Sequence, residues 1–179
     1  VAEVPRRVLV YGVTGSGKST AALALGERTG LPVTLVDELT WLPGWVPVED
    51  SVQREVIGEI VAGECWVLDT AYGAHLDLVL PRVELVVGLD YPRWLSLARL
   101  VRRTASRVIT KEPMCNGNVE TLGKVFARDS IIVWHFQSFA RKRARMRAWA
   151  ASPDGPDVRL FRHPRELESW LATLSRGDV

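Results

Sequence analysis

The sequence predicts an α/β fold, a parallel sheet with helices on both faces. Three observations lead to it. Short apolar runs rich in β-branched residues alternate along the chain with segments of helical periodicity. These runs are continuously apolar, as strands buried on both faces are, where half-exposed strands would alternate. The chain has 179 residues, 47% hydrophobic and 25% charged, which suits a single domain with a real core.

The elements follow in order. "RVLVYG" (Arg7–Gly12) reads as a buried strand stopped by glycine. "KSTAALALGERTG" (Lys18–Gly30) places Ala and Leu at helical spacing and also ends on glycine. "PVTLVDE" reads as a second strand, "CWVLDT" as a third, "VELVVGLDYP" as a fourth and "DVRLFRHP" as a fifth. "VEDSVQREVIGEIVAGE" is an amphipathic helix, with Val52, Val56, Ile57 and Ile60 expected on its apolar side. "PRWLSLARLVRRTASRV", "RDSIIVWHFQSFARKRARMRAWAA" and "PRELESWLATLS" complete the helices, and Pro92 and Pro164 sit at their favoured place, a helix start. "ITKEPMCNGNVET" (Ile109–Thr121) has no periodicity and reads as a lid or binding loop.

Charge is unevenly spread. Residues 1–92 hold thirteen acidic against six basic residues, whereas 93–147 hold thirteen basic against three acidic. Such a middle region suits an anionic partner, either nucleic acid or polyphosphate. Cys65 and Cys115 form no CxxC pair, so neither a disulfide scaffold nor structural zinc is expected. No apolar run reaches the ~20 residues of a membrane span, and no signal peptide is evident. A reducing, cytoplasmic setting is the expectation.

The sharpest feature is "GVTGSGKS". Gly12 to Ser19 matches G-x-x-x-x-G-K-[ST], placed between a strand and a helix. The glycines Gly12, Gly15 and Gly17 let successive amides, with those of Thr14 and Ser16, line one concavity for phosphate oxygens. The helix start at Lys18, Ser19 and Thr20 adds its positive end. Lys18 reaches the β- and γ-phosphates, and the Ser19 hydroxyl ligates Mg²⁺. ATP, as a nucleoside triphosphate, and Mg²⁺ are thus the expected cofactors. A metal also needs a carboxylate. Asp69 and Asp90 end the third and fourth strands; Asp69 is favoured for the metal and Asp90 for capping the next helix. Asp37 ends "TLVD" and is the candidate to orient or deprotonate an acceptor hydroxyl.

With those residues in view, the chain resembles the small P-loop kinases related to adenylate kinase. Within that group it more closely resembles bacterial topology-modulation or adenylate-kinase-like proteins. "GVTGSGKST", "TGLPVTLVDELTWLPGW", "CWVLDTAY", "LDYPRW", "LVRRT", "NGNVETL" and "RDSIIVW" carry the resemblance, which spans nearly the whole chain. It implies a P-loop NTPase fold with sheet order 2-3-1-4-5, one domain over 1–179, an acceptor-covering segment at about 38–64 and a short lid at about 103–121. It implies that Arg99, Arg103 and Arg107, with Arg102 beside them, contact phosphate or adenine; Arg103 and Arg107 are the catalytic candidates. Their four-residue spacing puts Arg99, Arg103 and Arg107 on one helix face. Residues 162–164 would edge the base. There is one departure. Adenylate kinases follow the third-strand Asp with glycine and soon an arginine for the acceptor phosphate. Asp69 is followed by "TAYGAH", and Arg54 or Arg82 would have to replace it.

The functional expectation is ATP–Mg²⁺-dependent phosphoryl transfer to a small acceptor: a nucleotide, nucleoside or other hydroxylated metabolite. A nucleotide-dependent DNA-binding protein is the alternative, resting on the basic helix "SFARKRARMRAW". No helix-turn-helix or zinc-finger pattern supports it, so nucleic acid is not favoured as a partner and a solvated helix face, reaching toward the lid phosphates, is. A monomer or a dimer suits the chain. Trp66, Trp94, Trp134 and Trp170 are expected in the core. Trp41 and Trp45 flank "LPG" and either wall an acceptor ring or pack within the loop. His75, His135 and His163 have no metal spacing and read as structural.

Overall fold

The computed structural model describes residues 5–110, 116–118 and 131–174. The chain runs β1 (Arg7–Gly12), α1 (Lys18–Thr29), β2 (Val33–Thr34), α2 (Val36–Thr40), β3 (Trp41–Leu42), β4 (Val46–Pro47) and α3 (Asp50–Ala62). It continues through β5 (Trp66–Leu68), a 3₁₀ turn (Gly73–His75), α4 (Leu76–Val79), β6 (Leu85–Leu89) and α5 (Arg93–Thr110). Helix α6 (Ile131–Ala151), β7 (Asp157–Phe161) and α7 (Pro164–Ala172) follow. Of the expected lid, 111–115 and 119–121 lie outside the described residues, as does the expected start of the next helix at 128–130.

Five parallel strands form the main sheet in the order β2-β5-β1-β6-β7. Counted as the first to fifth sheet strands, that is the expected 2-3-1-4-5. Strand β1 lies at the centre, and side-chain alternation divides it between two cores. Val8 and Val10 pack with Ala22 and Leu25 of α1 and Leu167 and Leu171 of α7. Leu9 and Tyr11 pack with Ile57 and Val61 of α3, Val79 of α4 and Met146 of α6. The C-terminal ends of β1 and β5 thereby reach one crevice, the place where open α/β sheets bind ligands.

Four expectations are corrected. The second strand stops at Thr34, and Asp37 lies in the first turn of α2 instead of at a strand end. The cause is tertiary: Asp69 Oδ1 accepts the Val36 N–H at 2.9 Å, supplying the first turn with a cap from another strand. Val52 is exposed, and α3 instead buries Gln53, Ile57 and Val61. Gln53 can be buried because its amide donates to Val48 O at 2.7 Å. Trp66 is core, but Trp94 and Trp134 are 68% and 42% exposed. Trp134 instead carries the Arg141 guanidinium at 5.6 Å from its ring centroid. Among the described residues the Asp90 carboxylate caps no helix; it accepts from Arg143 Nε at 2.6 Å and Arg147 Nε at 2.9 Å, at 1% exposure. A buried carboxylate needs such partners.

Candidate active site

The glycine loop joins β1 to α1 and is fixed from three sides. Within it, Ser16 Oγ donates to Val13 O at 2.8 Å and Lys18 Nζ donates to the same oxygen at 3.2 Å. Against α5, Gly15 has φ 82° and leaves no room for a side chain: a Cβ there would lie 2.4 Å from Ser96 O. Against α6, His135 Nδ1 lies 2.9 Å from Thr14 O, and the ring is fully buried. Gly12 is also crowded, since a Cβ would lie 2.8 Å from Ser16 Oγ. Gly17, with φ 93°, caps the N-terminus of α1, whose first residues are Lys18, Ser19 and Thr20. Ser19 and Thr20 are exposed at that end.

Asp69 leaves β5 opposite this helix start. Its Oδ2 accepts from Ser19 Oγ at 2.6 Å while Oδ1 holds Val36 N–H. Burial raises its pKa, and the Ser19 hydroxyl and Val36 amide oppose the rise. A hydroxyl and a carboxylate side by side are hard oxygen donors of the kind Mg²⁺ takes, with water and phosphate oxygens completing the shell. Among the described residues no cluster of three or more His, Cys, Asp or Glu could hold a metal by itself. The pair therefore fits an ion brought in with a phosphate ligand.

Asp37 projects from α2 into the same crevice. It accepts a hydrogen bond from Tyr72 Oη. Burial, then the Asp37 charge, drives the Tyr72 pKa up, so the phenol stays a donor. Lys18 faces both Asp37 and Asp69. Burial lowers its pKa, those two carboxylates oppose the shift, and Arg103 adds to it. Lys18, Ser19, Asp37 and Asp69 are thus brought together in one crevice.

The predicted arginines gather on α5. Arg99, Arg102, Arg103 and Arg107, with Ser106, line a cavity of about 370 Å³. Arg99 also touches the phosphate loop, donating from Nη1 to Ser16 O at 3.3 Å. One Arg107 nitrogen is buried there without a hydrogen-bond partner among the described residues. At the expected base edge, 162–164, the described contacts are those of a helix start. His163 accepts from Arg165 N–H and Glu166 accepts from His163 N–H, a capping box for α7.

Sequence reading missed two things, while Arg54, which it named, donates to Ala74 O at 3.0 Å and pairs with Asp77. His135 supports the loop itself. Helix α6 sends a second set of cations into the crevice. Lys142 sits by Lys18 and Asp37; burial, then Lys18, lowers its pKa to about 7. No local pattern could reveal these, because each depends on how distant segments meet. A prediction follows for Lys142. Its folded pKa lies below the ordinary lysine value of 10.5, so the unfolded chain binds the extra proton between those values. Stability should rise with pH across that window. In Lys142→Met that increment should vanish, and the variant should melt several degrees above the parent at pH 7. Parallel melting curves from pH 6 to 10 would contradict it.

Trp41 and Trp45 pack on each other edge-on, with centroids 5.8 Å apart, across the β3–β4 hairpin. The "NGN" tripeptide fastens this hairpin. Asn116 Nδ2 donates to Glu38 O at 2.8 Å and to Trp41 O at 2.7 Å. Asn118 donates to Leu42 O at 3.0 Å and accepts from Trp45 N at 2.7 Å.

The loop, the sheet order and the flanking helices define the fold as that of the P-loop kinases. Solved structures of that class match over nearly the whole chain. A sugar kinase from Janibacter sp. HTCC2649 is 19% identical, with TM-score 0.53, covering 96% of this chain and 94% of its own. A gluconokinase from Sinorhizobium meliloti 1021 is 18% identical, with TM-score 0.52 and coverage of 94% and 92%. A shikimate kinase from Bacteroides thetaiotaomicron is 16% identical, with TM-score 0.58 and coverage of 94% and 96%. No protein-family model and no curated protein matches the sequence. At these identities the likeness is one of fold. No described helix is long and apolar enough to cross a membrane.

Proposed function

We propose that this protein is a kinase that transfers the γ-phosphoryl group of ATP to a hydroxyl of a small acceptor. The observation carrying the reading is the convergence of Lys18 and the Ser19–Asp69 pair on one side of the crevice with Asp37 on the other. The fold likeness to small-molecule kinases supports it. The loop amides and Lys18 bind the phosphate tail. Ser19 and Asp69 would hold Mg²⁺, which supplies charge neutralisation on the phosphate oxygens. Asp37 accepts the proton of the acceptor hydroxyl as its oxygen bonds to the γ-phosphorus and the bond to the β-phosphate oxygen breaks. Tyr72 keeps Asp37 aimed by donating to it. Arg99, Arg103 and Arg107 meet the phosphates from α5. The segment at about 38–64 covers the acceptor, and that at about 103–121 acts as the lid that excludes water. The adenylate-kinase-like resemblance of the sequence, one domain over 1–179 and a cytoplasmic setting belong to the same proposal.

The nucleic-acid alternative is weakened by Asp90, which takes Arg143 and Arg147 out of the basic face of α6. The test is a coupled ADP-release assay with ATP and Mg²⁺ against nucleotides, nucleosides, sugars and hydroxy acids. Acceptor-dependent turnover is the expected result. Folded protein that releases no ADP with any acceptor class would overturn the reading.

A further inference from the structure

Asp37 stands on a helix of only five residues, α2 (Val36–Thr40). So short a helix does not hold itself, because most of its main-chain groups lie at its ends and nucleation is unfavourable. Its partners come from elsewhere. At the first turn, Asp69 Oδ1 accepts the Val36 N–H at 2.9 Å. At the last turn, the Val48 N–H donates to Thr40 O at 2.9 Å. Asn116 Nδ2 then takes two further carbonyls, Glu38 O at 2.8 Å and Trp41 O at 2.7 Å. A carboxamide nitrogen carries two protons, and these two carbonyls use both. Glu38 directly follows Asp37, so one of the bonds fixes the residue beside the carboxylate. The hairpin that continues α2 is held by the same tripeptide. Asn118 Nδ2 donates to Leu42 O at 3.0 Å and its Oδ1 accepts from Trp45 N at 2.7 Å. Trp45 has a left-handed φ of 61°, costly for a bulky residue unless its surroundings impose it. Asn118, at 3% exposure, is the residue that grips its amide. Asn116 and Gly117 are also left-handed, at φ 64° and 85°, a conformation that asparagine and glycine adopt most readily.

We infer that Asn116 and Asn118 are positioning residues for Asp37, acting through α2 and the β3–β4 hairpin. Asn116 braces the far end of α2 as Asp69 braces its start, and Asn118 fixes the hairpin against which that end rests. The carboxylate keeps its place only while both ends of its helix are held. Tyr72 aims the carboxylate, whereas the asparagines set where its helix lies. The proton-accepting role of Asp37 rests on the kinase reading; the brace rests on four hydrogen bonds that do not depend on it. The consequence for the reaction is one of rate. A reacting group misplaced by about 1 Å costs up to about 10²-fold, while the phosphate loop, fixed by its own contacts, goes on binding nucleotide.

Two measurements on the whole chain test this. The first is amide hydrogen exchange of the segment 35–47, read by mass spectrometry. Asn116→Gly keeps the left-handed backbone and removes the carboxamide; Asn118→Asp keeps the acceptor for Trp45 N–H and removes the donor to Leu42 O. Each should speed exchange across 35–47 by about tenfold and leave the glycine loop, 12–20, unchanged. The second is turnover, with ATP, Mg²⁺ and whichever acceptor gives ADP release. Asn116→Gly should lower kcat by about tenfold, with the KM for ATP and the affinity for ADP within about twofold of the parent. In an Asp37→Asn background the same substitution should cost less than about twofold, because the residue it acts through is already disabled. Circular dichroism and melting verify the fold. Asn116 is exposed, so its variant carries the test if Asn118→Asp misfolds. Unchanged exchange at 35–47 would overturn the inference. So would faster exchange with kcat intact, or an Asn116→Gly loss equally large in the Asp37→Asn background. Faster exchange in a protein that turns over no acceptor would sustain the brace on α2 and count against the kinase.

Discussion

Lys18→Ala should fold normally and lose turnover by about 10³-fold or more, the scale seen when a charge opposing the phosphoryl oxygens is removed. Two facts separate fold from function here. The ammonium makes a single loop bond, to Val13 O at 3.2 Å, worth on the order of 1 kcal/mol. The loop is held independently by Ser16 on Val13 O, His135 on Thr14 O and Gly15 against Ser96. Burial also disfavours the charged lysine while no phosphate is bound, so its removal offsets part of the lost bond. Melting temperature should therefore move little while ATP affinity and kcat both fall. Activity within tenfold of the parent would remove the phosphate site from this loop.

Asp37→Asn should lower kcat by about 10²- to 10⁴-fold, the usual range for a positioned proton acceptor, and leave the KM for ATP nearly unchanged. The amide is nearly isosteric and can still accept from Tyr72, so geometry survives and basicity does not. Asp37→Glu should recover part of the rate. Tyr72→Phe should cost far less, because it removes only the group that aims the carboxylate. Asp69→Asn provides the contrast: it disturbs both the Ser19 bond and the cap on Val36. It should raise the Mg²⁺ concentration needed for half-maximal rate. If Asp37→Asn kept full kcat while Asp69→Asn abolished it, the two carboxylates would have to exchange roles.

The features legible in the sequence are those fixed by local physics. The glycine loop announces itself because φ values of 82° and 93° at Gly15 and Gly17 demand glycine. The sheet strands are continuous apolar runs because helices cover both faces. The shared face of Arg99, Arg103 and Arg107 follows from spacing alone, and the three do line one cavity. What escaped depends on contacts between distant segments. "TLVDE" has the composition of a strand, yet Asp69, more than thirty positions later, holds Val36 in a helix start. Trp94 and Trp134 fit an apolar stripe by spacing, but the described structure leaves them at the surface. The two jobs of the basic helix are invisible locally, since Arg141, Arg143, Arg145 and Arg147 differ only in which side of α6 they occupy.

The asparagine clasp has a consequence for anyone who redesigns this protein. Asn116 and Asn118 satisfy main-chain groups at Glu38, Trp41, Leu42 and Trp45 across more than seventy positions of sequence. A hairpin transplanted from another scaffold without its asparagines would arrive with those amides and carbonyls unmet. The reverse graft would strand two carboxamides. For engineering, the two stretches behave as one interchangeable cassette, and a library that randomises either of them alone samples mostly broken combinations.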